Sequence, residues 1–188
     1  MMPRDDRGAP ASTAALERLR MMVPDAQPPT AAPPSDMTPE VDRNSDERSL
    51  TTLIQQVMDA TGSAYIVEHG DIYGRWEQGL FHFTDLGSAE HDPVLQVHGT
   101  WERYLGEEAF ARAATFCNEW NAENVWPKAY AQLDEEHRIV GIFGETTVDL
   151  SAVLTLELVR SVVHQGIETA LGLFVAAAEA FPDARPIQ

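Results

Sequence analysis

The spacing of apolar residues changes along the chain, and each change marks an element. Over 46–61, Leu50, Leu53, Ile54, Val57 and Met58 recur at helical spacing, the stripe of an amphipathic helix. Asp46 and Glu47 suit its N-terminus, where carboxylates meet free N–H groups, and Gly62 is its natural stop. The spacing then shortens to two. AYIVEH (64–69), IYGRWEQ (72–78) and LFHFTDL (80–86) read as short strands, with Gly70-Asp71 and Gly79 at the turns. PVLQVHGTWERY (93–104) alternates cleanly, Leu95, Val97 and Trp101 on one side and Gln96, His98 and Thr100 on the other. That pattern predicts an antiparallel meander with one wet face.

Helical spacing returns over 107–122, where Phe110, Ala113, Ala114, Cys117, Trp120 and Asn121 share a face. Glu107 and Glu108 favour its N-terminus, and Glu108 and Arg112 form an i, i+4 pair. KAYAQLD (128–134) and RIVGIFGETTV (138–148), joined by Glu135, Glu136 and His137, predict a hairpin. Residues 155–180 form the longest helix, about 39 Å at 1.5 Å per residue. Its stripe is Val159, Val162, Val163, Ile167, Ala170, Leu171 and Phe174, and Pro182 ends it. The order α-ββββ-α-ββ-α predicts an α+β fold, an antiparallel sheet packed against helices.

Composition divides the chain. Residues 1–49 contain no aromatic residue or His but hold 8 of the 12 prolines. Without large apolar side chains such a segment cannot offset the entropy of ordering, about 1–2 kcal/mol per residue for the backbone. It is therefore expected to be mostly disordered, with a short helix over 12–23 on Leu16, Leu19 and Val23, followed by a Pro/Ala linker. Residues 50–182 form the globular domain and 183–188 a C-terminal tail.

Charge narrows the partners. The formal net charge is −17, of which residues 1–49 carry −3 and the remainder −14. An acidic domain argues against nucleic acid and anionic membranes, which need basic surfaces, and suits a basic protein partner or simple solvation. Cys117 is the only cysteine, excluding an intrachain disulfide and a cysteine metal cluster. MMPRDDRGAP has no apolar signal-peptide core, and no uninterrupted apolar run approaches the ~20 residues of a membrane helix. A cytoplasmic setting follows. One Lys against twelve Arg points to a high-G+C bacterial genome.

Candidate chemistry is sparse. His82 and His98 fall on the wetter sides of their strands and become cross-strand neighbours if those strands pair. No third ligand is set by spacing and HExxH is absent, so wet-face histidines are the better reading and no metal is expected. Glu145 and Asp149 flank a strand end as a possible acid and base, but nothing selects them over other surface acids. GIFGET (141–146) lacks the Lys and spacing of a phosphate-binding loop, and no G-x-S-x-G occurs. Cys117 reads as a buried structural thiol. No catalytic residue and no cofactor is expected. Of the tryptophans, Trp76, Trp101 and Trp126 are candidates for lining a partner-binding groove, although large aromatics usually belong to the core.

The segment FCNEWNAENVWPKAY (116–130), the hairpin after it, VDLSAVLT and the long final helix together resemble the YbjN domain family. Asn118, Trp120, Asn121, Trp126, Pro127 and Lys128 carry the resemblance, and HGTWER and FVAAAEAFP fit it. It implies a type III secretion chaperone-like fold, frequent dimerisation and a role as a sensory transduction regulator, with no catalytic residue to transfer. The expected function is thus a non-enzymatic, chaperone-like or regulatory module that holds a protein segment without nucleotide. A ligand sensor or enzyme with a sheet-face pocket at His82 and His98, or a homodimeric scaffold, are the alternatives. A fold likeness does not by itself specify function.

Overall fold

In the computed structural model the described residues are 49–87 and 92–187. The tail and its short helix at 12–23 lie outside them, and the helix expected from Asp46 starts later, because Ser49 is already extended as its N-cap. Helix α1 spans Leu50–Thr61. Ser49 is its N-cap, its Oγ accepting from the Thr52 N–H at 3.2 Å, and Gly62 closes it in the left-handed conformation. The stripe read from the sequence is the buried one, since Leu50, Leu53, Ile54, Val57 and Met58 are all buried.

Strands β1 (Tyr65–Glu68), β2 (Asp71–Trp76), β3 (Gly79–Asp85) and β4 (Val94–Trp101) form the antiparallel meander. The strand read as continuous over 93–104 instead breaks at Glu102, and β5 (Arg103–Gly106) follows. The Glu102 N–H turns away to the Gln78 carbonyl at 3.2 Å, and its carboxylate accepts from Arg75 Nε at 2.6 Å. A short 3-10 turn, Glu107–Ala109, then leads into α2 (Phe110–Glu123). That turn takes Glu108 out of helical register, and no Glu108–Arg112 ion pair forms among the described residues. Arg112 reaches the Ala180 carbonyl instead. Phe110, expected on the buried stripe, is 39% exposed.

Strand β6 (Lys128–Asp134) and the eleven-residue β7 (Ile139–Asp149) form the expected hairpin. On its other side β7 pairs with β4 and then with β5, so it runs through the middle of the sheet. Helix α3 spans Leu156–Ala180 with Thr155 as N-cap. A two-residue strand, β8 (Arg185–Pro186), pairs with β5 beyond it. The domain is therefore α+β, with an antiparallel sheet and its helices on one face.

Helix α3 is the centre of the core. By length and mean hydropathy it could cross a membrane. Here its stripe, including Val159, Val163, Ala170, Phe174 and Ala177, is buried within the domain. Close approach to the sheet depends on glycines. A Cβ at Gly166 would lie 2.8 Å from Val97, and one at Gly99 would meet Phe174, Phe81 and Ala170 at 3.1–3.2 Å. Trp101, Phe81, Phe83, Phe174 and Phe181 are the largest fully buried rings.

Candidate functional site

The residues that crowd 116–130 divide by role. Asn124 ends α2 in an extended conformation, and its side chain returns to the Trp120 carbonyl at 3.1 Å. Pro127, after a cis peptide bond, is buried with its ring against the position where a Cβ on Gly144 would sit. Asn121 does what a neighbouring strand would do. Its Nδ2 donates to the Ala129 carbonyl and its Oδ1 accepts from the Ala129 N–H, both at 2.8 Å. Both backbone groups of that β6 residue are therefore satisfied by a side chain of α2. Asn118 and Lys128 are exposed, and Trp120 and Trp126 are half-buried.

The three candidate tryptophans are not brought together. Trp101 is 2% exposed and lies in the core, where no partner can reach it. Trp126, in the segment between α2 and β6, is half-buried. Trp76, at the end of β2, packs edge-on against Phe81 and Phe83, ring centroids 5.1 and 6.1 Å away. Its indole folds back over Gly74, where a Cβ would come within 2.5 Å of the ring. The half-buried indole lines a groove of about 310 Å³. Val57 and Met58 of α1 and Val163 and Ile167 of α3, all buried, form its floor, and half-buried Leu171 with Trp76 supplies its accessible apolar surface. Thr61, Ser63, His164 and Glu168 complete it. The exposed Glu168 carboxylate has no ion-pair partner among the described residues. Only Trp76 among these was singled out in the sequence. The apolar lining residues were legible as two helical stripes, but not as the walls of one groove, and the polar ones lay on neither stripe.

The sheet face opposite the helices carries the polar chemistry. His82 and His98 are direct cross-strand partners, as strand pairing would require. The row continues on both sides, from Tyr73 through His82 and His98 to Glu145 and Lys128. Tyr73 stacks on His82 at 4.4 Å. His98 Nε2 lies 2.9 Å from the Tyr130 hydroxyl, and its ring stacks on Phe143. His98 and Thr100, expected on a wet face, are buried at 7% and 5% exposure, and that burial, helped by the nearby His82, lowers the His98 pKa to about 4, so it is neutral at pH 7. Burial, with Glu145 adding repulsion, raises the Tyr130 pKa to about 12.

Among the described residues this face shows no assembled hydroxyl–histidine–carboxylate relay. Asp71 Oδ2 lies 3.0 Å from His82 Nε2, and Thr84 Oγ lies 2.7 Å from that same nitrogen and 3.4 Å from Nδ1. A hydroxyl–histidine–carboxylate relay needs the acid and the nucleophile on opposite ring nitrogens. Glu145 is engaged by the Gln96 amide at 2.8 Å, and Asp149 lies four residues along β7, about 13 Å away at ~3.3 Å per residue. Among the described residues no three His, Cys, Asp or Glu side chains are grouped to hold a metal. Cys117 is buried, and burial raises its pKa to about 11, leaving no thiolate for chemistry at neutral pH.

A family model for YbjN, described as "Putative bacterial sensory transduction regulator", matches residues 51–179. Among solved structures, "Crystal structure of YbjN, a putative transcription regulator from E. coli" aligns with a TM-score of 0.59 at 14% identity, covering 73% of this chain and 95% of that one. A chain of the ExsC–ExsE complex aligns with a TM-score of 0.41 at 19% identity, covering 78% of this chain and 98% of that one. The first of these likenesses bears on fold. No curated protein matches the chain in sequence.

Proposed function

The chain belongs to the YbjN family, and from that premise we propose that it is a non-enzymatic, cytoplasmic protein-binding module of regulatory or chaperone-like kind. It holds a partner segment between α1 and α3 without nucleotide or other cofactor. The observation that carries this reading is the apolar groove faced by Trp76, with an unpaired Glu168 at its rim. Grooves between two helices take amphipathic helices, whose apolar side chains enter while polar flanks meet the rim. The domain's net charge of −14 selects a segment with Lys or Arg around its apolar anchors, and steers its approach. An unpaired Cys117 suits a reducing compartment. The sheet-face row of His82 and His98 favours a small-ligand reading less, because Asp71, Thr84, Tyr130 and Gln96 already engage the polar groups there. Homodimerisation is a separate expectation that light scattering would decide.

The test is titration of the full chain with fluorescent basic amphipathic helical peptides at low and high salt. Saturable binding is expected, weakened at least tenfold by Trp76→Ala and by Glu168→Lys, and weakened by salt. Glu168 is exposed, so its variant keeps the fold if loss of Trp76 does not. Binding left unchanged by both substitutions refutes the groove as the site.

A further inference from the structure

A second cavity, of about 700 Å³, opens between β5, the β6–β7 turn, the start of α2 and the C-terminal segment. Its lining runs against the charge of the domain. Residues 50–188 hold only seven Lys and Arg, yet Arg112, Arg138 and Arg185 all line this one cavity. Arg112 is fixed in place, its guanidinium 4.4 Å over the Phe181 ring and its Nη2 donating to the Ala180 carbonyl at 3.1 Å. Stacking holds the plane and leaves further N–H groups for another acceptor. Arg138 sits at a left-handed turn position and donates through Nε to Glu107 at 2.8 Å and through Nη2 to the same carboxylate. The side chain of Arg185, exposed on β8, has no hydrogen bond or ion pair among the described residues. The acids in the lining are Glu108 and Asp183, and Glu107 occupies Arg138, so cations and carboxylates balance here whereas residues 50–188 as a whole carry −14, and Arg112 and Arg185 are the cations left to meet a ligand. Leu105, Ala184 and Phe181 add buried apolar lining.

We propose that this cavity binds a small organic anion, with a carboxylate or phosphate head held by Arg112 and Arg185 and an apolar body along the half-buried Tyr104 and Ile139. The volume falls in the range of small-ligand sites, about 300–1,000 Å³, and an apolar wall with a few fixed polar groups is their usual make-up. Guanidinium groups match the geometry of both heads through paired charge-assisted hydrogen bonds. The cavity shares no residue with the groove between α1 and α3, so either reading can fail without the other.

The experiment is an NMR titration of the full chain with phenylacetate and, separately, phenyl phosphate, at constant ionic strength set by sodium chloride. Saturable shifts confined to residues around Arg112, Phe181 and Arg185 are expected for at least one probe, and the arm that saturates names the head group. Arg185→Ala and Arg112→Gln should each weaken binding about tenfold, whereas Arg160→Ala, exposed on α3, should not. Arg185 is on the surface, so its variant carries the test if loss of the Arg112 stack disturbs the fold. Shifts that never saturate with either probe, or binding indifferent to both cavity variants, overturn the proposal.

Discussion

Replacing Asn121 by Ala should cost this domain about 3 kcal/mol. The perturbation is local, because one side chain satisfies both backbone groups of Ala129 with bonds of 2.8 Å. Ala129 is 3% exposed, so water does not readily take over both bonds. A buried polar group stripped of its partner loses about 1–3 kcal/mol. Two such groups set a range of about 2–6 kcal/mol, and water admitted at the sheet edge moves the expectation toward its lower half. Domain stabilities of about 5–15 kcal/mol mean the variant stays folded in most of that range. Urea unfolding followed by tryptophan fluorescence measures it, and an unchanged denaturant slope shows that the states compared are the same. Asn121→Asp sharpens the test. A carboxylate still accepts from the Ala129 N–H but sets a charged oxygen against the Ala129 carbonyl. It should be destabilised at pH 7 and regain part of the deficit, relative to wild type, once acid supplies a proton to donate. An Asn121→Ala variant within 0.5 kcal/mol of wild type, a margin smaller than one lost bond, would refute this account of the α2–β6 junction.

Other outcomes follow from burial and close packing. His98 has a folded pKa of about 4, below the ordinary 6.5, so between those values the unfolded chain binds the extra proton. Its contribution is complete above about pH 6.5 and is lost as pH falls toward 4, by up to about 3 kcal/mol, and His98→Gln should flatten that part of the wild-type stability profile. Gly166→Ala should destabilise by about 1–3 kcal/mol because the new methyl meets Val97 at 2.8 Å, whereas Gly172→Ala, exposed on the same helix, should stabilise by about 0.5–1 kcal/mol; thermal melts of both decide it. Cys117 should resist iodoacetamide at pH 7.5 in the native protein and react once urea unfolds it; rapid native labelling read by mass would contradict its burial.

The element order was legible because burial imposes a period on the chain. Leu50, Leu53, Ile54, Val57 and Met58 announce α1, and Leu95, Val97 and Trp101 announce the inner side of β4. The adjacency of His82 and His98 was conditional on pairing, and the register supplied it. Glu108–Arg112 was misread because helical spacing was extended through residues that form a 3-10 turn. The break at Glu102 was invisible for a related reason: alternation continues in sequence while the backbone turns to Gln78 and the side chain to Arg75.

By itself the sequence determined which residues are apolar on which face, where helices stop, and that the folded part is acidic and carries one thiol. These are local properties, set by side-chain chemistry at a fixed period. Only the tertiary structure decided that β7 lies between β4 and β6, that Asn121 meets Ala129, that Trp76 faces the α1–α3 groove, and that Arg112, Arg138 and Arg185 share one cavity. Those partners stand 8 to about 110 positions apart in the chain. Their meeting depends on which faces pack and how closely glycines such as Gly99 and Gly166 let α3 approach the sheet. Periodicity is silent on that, because it records how apolar a face is and not what covers it.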